Sequence, residues 1–182
     1  MLSQISTCTV IDFETTGLFP EEGDRVVEIA AVAIADWNIV DSFHSIVRPA
    51  SIEVKFRSPV NDINESTLLD APDSYTAFSM LKRFIGNQTL VAHNAAFDAA
   101  FLRTEAKFNN LDFANNFYCT LQLARKYLPN QPSYSLSALT HQLNIETDGK
   151  LHRALADANA TAKLLIWLNE LDKKKAKPFN FY

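Results

Sequence analysis

"VIDFETTGL", residues 10–18, begins as a core strand and ends with groups that a core rejects. Val10 and Ile11 continue an apolar run that starts near Thr7. Asp12 and Glu14 follow, two residues apart, before the segment closes on Thr15, Thr16 and Gly17. Side chains in a strand alternate faces, so both carboxylates point to one side, about 7 Å apart along the chain. Neighbouring carboxylates repel each other and resist leaving water. Their place at the end of a buried strand therefore calls for a cation.

The pattern around this stretch supplies the fold. Residues 7–13 read as the first strand, and residues 25–35, "RVVEIAAVAIA", as the second. Residues 39–47, "IVDSFHSIV", give a third, and the short connections favour antiparallel neighbours. Residues 48–63 carry Pro49 and Pro59 and read as a surface crossing. Helical periodicity then appears over residues 74–86, with Ala77, Phe78, Leu81, Phe84 and Ile85 on one stripe and Ser74 as its cap. A short strand at 89–93 precedes a helix at 95–108 that Asn94 is placed to cap. Another strand at 116–120 leads to helices at 120–128, 135–143 and 153–171. Three strands followed by strands alternating with helices predict an α/β sheet with an antiparallel half and a parallel half. Residues 1–171 form one domain on this reading, and residues 172–182, "DKKKAKPFNFY", a solvated basic and aromatic tail.

Composition narrows the classes. The chain has 182 residues, 47% of them apolar and 21% charged, which suits one soluble domain with a sizeable core. No basic and apolar leader opens it, and no run approaches the ~20 apolar residues of a membrane span. A cytoplasmic protein without membrane contact is expected. Cys8 and Cys119 both lie in short apolar segments and read as buried, reduced thiols. The net charge of −4 does not imply a broad basic face for long duplexes. If the ligand is a polyanion, bound cations must supply part of the attraction.

Two more acids occupy related places. "VAHNAAFD" ends a strand and opens a helix, putting Asp98 about one turn inside. "HRALAD" precedes the last helix and puts Asp157 near its first turn. Either acid alone is explained by the helix dipole. Together with Asp12 and Glu14 they come from a strand end and two helix starts, where α/β folds gather binding groups. Oxygen ligands of this kind suit two Mg²⁺ or Mn²⁺ ions, and the absence of a Cys/His cluster with ligand spacing disfavours zinc. Such an ion pair serves phosphoryl displacement. His152, just ahead of the last helix, is the natural acceptor for the proton of an attacking water. His93 reads as a hydrogen-bonding or substrate-facing group, and His44 and His141 as structural.

The segments "DFETTG" (12–17), "HNAAFD" (93–98) and "HRALAD" (152–157) resemble the three motifs of the DnaQ-like DEDDh 3′→5′ exonucleases. The resemblance spans about residues 5–171 and extends to "FYCTLQLARKYLP" and "YSLSALTHQLNI". It implies a ribonuclease H-like fold: a mixed five-stranded sheet of three antiparallel and two parallel strands, flanked by helices. It implies metal binding by Asp12, Glu14, Asp98 and Asp157, with His152 as general base. Thr15, Thr16 and Gly17 match the turn that receives the terminal nucleotide, and Gly17 suits close backbone approach. Leu18 matches a residue wedged against the last base. His93, Asn94 and Phe97 complete the implied substrate side, with Phe97 serving either as a stacking group or as helix core. The implied activity is hydrolysis of single-stranded nucleic acid, DNA favoured, from the 3′ end to 5′-mononucleotides.

The chain departs from the family pattern at Cys119-Thr120, where many members carry an Asp before the Thr. It departs again at Asn61-Asp62-Ile63, where many carry His-Gly-Ile. Glu28, an acid inside an apolar strand, reads as a hydrogen-bonding neighbour rather than a catalytic group. Two alternatives remain from other classes: a phosphoesterase acting on very short oligoribonucleotides or small nucleotides, and a non-catalytic module that binds nucleic acid or a polymerase. A polymerase or repair partner is compatible with the resemblance, and the short stretch beyond residue 171 favours a free-standing form.

Overall fold

The computed structural model describes residues 2–49, 63, 65–147 and 153–176. The strands are β1 (Cys8–Thr15), β2 (Val26–Ala35), β3 (Asn38–Ile46), β4 (Leu90–Ala92) and β5 (Phe117–Cys119). The helices are α1 (Glu65–Leu69), α2 (Ser74–Ile85), α3 (Ala95–Phe108), α4 (Thr120–Tyr127), α5 (Leu136–Gln142) and α6 (Ala154–Ala176). They form the expected mixed sheet of five strands, in the order β3-β2-β1-β4-β5. β1 pairs antiparallel with β2, and β2 with β3. β4 lies parallel to β1, and β5 parallel to β4.

Alternation along β1 and β2 divides the core between two helical layers. Cys8, Val10, Ala30, Val32, Ile34 and Val91 face Ala158, Ala162, Leu165 and Leu168 of α6. Ile11, Phe13, Ile29, Ala31, Leu90 and Ala92 face Phe78 and Leu81 of α2 and Phe101 of α3. Each large side chain so buried contributes roughly 1.5–3 kcal/mol. Alanines at 154, 158 and 162, all fully buried, recur every fourth residue and bring the α6 backbone close to the sheet. The β2–β3 hairpin closes on Asp36 and Trp37, both left-handed at φ 50° and 65°, matching the twist of a two-residue turn.

Local details differ from the sequence expectations for identifiable reasons. Asp73, not Ser74, caps α2, its Oδ1 accepting from the Thr76 amide at 2.8 Å. Ser74 is buried instead and donates to Glu105. Asn94 occupies the cap position of α3 in a left-handed conformation, φ 66°, and its side chain makes no capping bond. Its carbonyl accepts from the Phe97 amide at 2.9 Å. α6 runs on to Ala176, because "DKKKA" is built of helix-compatible residues. The rest of the expected tail, with Phe179, Phe181 and Tyr182, lies outside the described residues, as does most of the crossing at 50–62. Cys8 is fully buried, and burial pushes its thiol up to about 12. Cys119 is only half-buried, and both thiols are free. Among the described residues, no helix is long and apolar enough to cross a membrane.

Candidate active site

The carboxyl ends of β1 and β4 lie side by side, and the starts of α3 and α6 converge on them. Asp12 and Glu14 continue the face of β1 that carries Cys8 and Val10, the face covered by α6. Across β2, Asp12 stands opposite Ala30 and Glu14 opposite Glu28. The first turn of α6 brings in Asp157. One carboxylate oxygen each from Asp12, Glu14 and Asp157 lies within 4.8 Å of the other two. Asp98 enters from α3, only 3% exposed, and accepts from its own amide and that of Phe13. Three of the four expected metal ligands thus share one cluster, and the fourth interacts with it by charge.

The electrostatics follow from that crowding. Burial first, then the charges of Asp98, Asp157, Glu14 and Glu28, hold the Asp12 carboxyl well above the usual carboxylate range. Burial, with a further push from Glu14, raises Asp98 to about 7 despite the two amides that stabilise its anion. Protons or a cation can relieve the repulsion. The donor set is oxygen only, which fits a hard divalent ion such as Mg²⁺ or Mn²⁺.

Next to the cluster, the chain turns sharply through residues 15–19. Thr15 Oγ1 donates to the Gly17 carbonyl at 2.6 Å. Thr16 is buried, donates to Asp24 Oδ1 at 3.4 Å and accepts from the Arg25 amide at 3.0 Å. Asp24 Oδ2 accepts from the Phe19 amide at 3.0 Å. A Cβ on Gly17 would lie 2.3 Å from that same oxygen, so this glycine makes room for Asp24. The turn leaves Leu18 66% exposed at its tip. Sequence reasoning missed Asp24: in "PEEGD" nothing separates it from its acidic neighbours Glu21 and Glu22.

The remaining expected site residues have varied surroundings. His93 is engaged at both ring nitrogens, Nδ1 with Thr120 Oγ1 and Nε2 with the Tyr134 carbonyl, each at 2.9 Å. Since a carbonyl only accepts, Nε2 carries the proton and donates to Tyr134, while the Thr120 hydroxyl also reaches the Ala92 carbonyl at 3.3 Å. Burial lowers the His93 pKa, in keeping with a neutral ring. His93 and the exposed Asn94 border an open groove of about 460 Å³, also lined by Leu121, Arg125 and Tyr134. Phe97 is half-buried, with its ring centroid 4.8 Å from that of Phe101, at the edge of the core. His152, the expected general base, lies outside the described residues.

Glu28 is fully buried at the margin of the cluster. It accepts from Arg153 Nε at 3.1 and 3.2 Å and from Arg153 Nη2 at 2.9 Å. His44 Nε2 lies 2.7 Å from its Oε1. Burial alone would raise the Glu28 carboxyl, but the hydrogen bonds and charges of Arg153 and His44 outweigh it and hold the group below its ordinary value.

Residues 9–165 match the exonuclease family. The chain is 36% identical over 170 residues to the PolC-type DNA polymerase III of Thermotoga petrophila, covering 93% of this chain but only 12% of that protein. It is 32% identical over 165 residues to the DNA polymerase III subunit epsilon of Aquifex aeolicus, covering 90% of this chain and 81% of that one. Exonuclease X in complex with 5′ overhanging duplex DNA superposes with a TM-score of 0.71 at 30% identity, over 91% of this chain and 93% of that one. The nuclease domain of 3′hExo, a DEDDh family member bound to rAMP, shares the fold with a TM-score of 0.77 at 19% identity, over 91% and 92% of the two chains. The match along the sequence and the likeness over the whole ribonuclease H-like domain agree, and the chain belongs to the exonuclease family, in its DnaQ-like branch.

Proposed function

We propose that this chain removes nucleotides one at a time from the 3′ end of single-stranded nucleic acid, with DNA favoured. The observation that carries the reading is the cluster of Asp12, Glu14 and Asp157, with Asp98 beside it, at the carboxyl ends of β1 and β4. DNA is favoured because the similar proteins include a DNA polymerase III subunit epsilon and an exonuclease X in complex with DNA.

Asp12, Glu14, Asp98 and Asp157 would hold two Mg²⁺ or Mn²⁺ ions. Bound there, the ions supply an acidified water and positive charge opposite the departing 3′ oxygen. His152 takes the proton of the attacking water. The new P–O bond forms as the bond from phosphorus to the upstream 3′ oxygen breaks. The products are a nucleoside 5′-monophosphate and a strand one residue shorter with a 3′-hydroxyl. The backbone of Thr15, Thr16 and Gly17 receives the terminal nucleotide, and Leu18 packs against its base. Stacking accepts any base, so sequence preference is weak. Asn94 and Phe97 flank the same end, and His93 braces β4 against the segment before α5.

The test uses 5′-labelled single-stranded DNA and matched RNA with Mn²⁺, Mg²⁺ or EDTA, for wild type and His152→Ala. A metal-dependent ladder shortening from the 3′ end is expected, with DNA cut faster. Removing the base should cost on the order of 10²–10⁴-fold in kcat. Wild-type cleavage in EDTA, or full activity in the variant, would overturn the mechanism. Turnover confined to dinucleotides would favour the small-substrate alternative.

A further inference from the structure

We propose that Glu28 is a positioning residue, which sets Asp157 against Asp12 and Glu14 by fastening the start of α6 to the sheet. The inference rests on the metal-site reading given above and assigns its geometry to a residue outside the ligand set.

The connection can be followed atom by atom. Glu28 grips Arg153 through both Nε and Nη2, a forked contact that fixes direction as well as distance. It also accepts from the Ala154 amide at 3.5 Å, one of the amides that an α-helix leaves unsatisfied at its start. The Arg153 carbonyl in turn accepts from the Asp157 amide at 3.0 Å, forming the opening hydrogen bond of α6. The carboxylate of β2 is therefore one residue's backbone away from the metal ligand of α6. On the other side, His44 of β3 holds Oε1 at 2.7 Å, tying the same carboxylate to the sheet edge.

Register strengthens the argument. Glu28 is the direct cross-strand partner of Glu14, so the anchor and the metal ligand stand at the same level of the sheet. Apolar packing holds the body of α6 through Ala158, Ala162, Leu165 and Leu168. Packing of that kind, including Ala154 in the first turn, sets how closely the helix sits but is itself non-directional. Only Glu28 is buried in this pair, since the Arg153 side chain is 41% exposed, and such an ion pair adds little net stability. What it adds here is direction, at the turn that carries Asp157.

The test titrates Mn²⁺ calorimetrically into metal-free wild type, Glu28→Gln and Glu28→Asp, and follows amide exchange in the same proteins. Glutamine keeps the shape but turns an NH₂ group toward one arm of the guanidinium. Glu28→Gln is expected to bind Mn²⁺ on the order of 10–100-fold more weakly, the usual cost of freeing a metal ligand from its support. Exchange should quicken over residues 154–158 and stay slow in β1, kcat should fall with KM little changed, and Glu28→Asp should recover part of the affinity. A folded Glu28→Gln protein with wild-type affinity and exchange would sink the inference while leaving the metal site intact. Should Glu28→Gln fail to fold, Arg153→Lys carries the test, since it keeps the charge and loses the fork. Weaker Mn²⁺ binding there supports the anchor, and unchanged binding overturns it. A wild-type protein that binds no Mn²⁺ would instead overturn the metal-site reading beneath it.

Discussion

Two groups of buried acids lie in this domain, and the fold treats them in opposite ways. Glu105 on α3 is 1% exposed and accepts from Arg25 Nε and Nη2 at 2.8 and 2.6 Å, from the Val26 amide at 3.2 Å and from Ser74 at 2.7 Å. The Arg25 guanidinium is also stacked 3.9 Å from the Phe108 ring centroid, so the pair is shielded from water. Asp12 has other acids for its charged neighbours, and burial and repulsion raise it. At Glu105 the chain supplies its own cation, Arg25. At Asp12 it concentrates negative charge instead, which marks a place for a cation from solution. Glu28 belongs to the first group by its partners and to the second by its location.

The sharpest way to break this contrast is Glu105→Ala. It leaves the Arg25 charge without its buried counterpart and should destabilise the fold by about 3–5 kcal/mol. Denaturant melts would measure the loss, and a loss below ~1 kcal/mol would show the pair to be no scaffold. Mn²⁺ affinity in the folded fraction should be unaffected.

A second effect, of a few kcal/mol, concerns pH. The Asp98 carboxyl stands at about 7 in the fold against an ordinary 3.8. Between those values the folded chain keeps a proton that the unfolded chain has released, so metal-free stability falls as pH rises through 7. Melting temperatures in EDTA from about pH 5 to 8 should decline for wild type and less steeply for Asp98→Asn. Added Mn²⁺ should stabilise wild type increasingly as pH rises, since binding displaces that proton. A wild-type curve that rises with pH in EDTA would contradict the assignment.

The smallest change in stability is expected at Asp12→Asn, which removes one charge from the repelling set. Metal-free protein above pH 7 should gain about 1 kcal/mol, read as a raised melting point in EDTA. The stabilisation by added Mn²⁺ should nearly vanish along with exonuclease activity. Retained turnover would remove Asp12 from the site.

How much of this was legible in the sequence depended on whether the partners are near in the chain. Asp12 and Glu14 could be placed on one face because a two-residue period is local, and Asp98 and Asp157 because each opens a helix. Most strand and helix positions followed from the same short periods, and the antiparallel pairing of the first three strands from their short connections. The short helix α1 was not read, and the full strand order was not fixed by any local pattern. The Glu105 cluster was not legible, because Arg25 lies 80 residues away and no spacing rule links them. Asp24 escaped for another reason, since its role depends on the room left by Gly17. The α2 cap was misread by one residue because Asp73 and Ser74 are both good capping types, and only the burial of Ser74 decides between them. Most of β3 is exposed at the sheet edge, where position rather than pattern sets burial.

The alanine row of α6 has a consequence for how such a domain can vary. Ala154, Ala158 and Ala162 fix how closely the helix sits on the sheet, and Asp157 rides on the same helix. A side chain one or two carbons larger in that row would lift the helix and open the gap between Asp157 and Asp12. The distance that a stability screen would tolerate and the distance that catalysis needs are thus one length. Variation along that row therefore alters the packing of the helix and the spacing of the acids together.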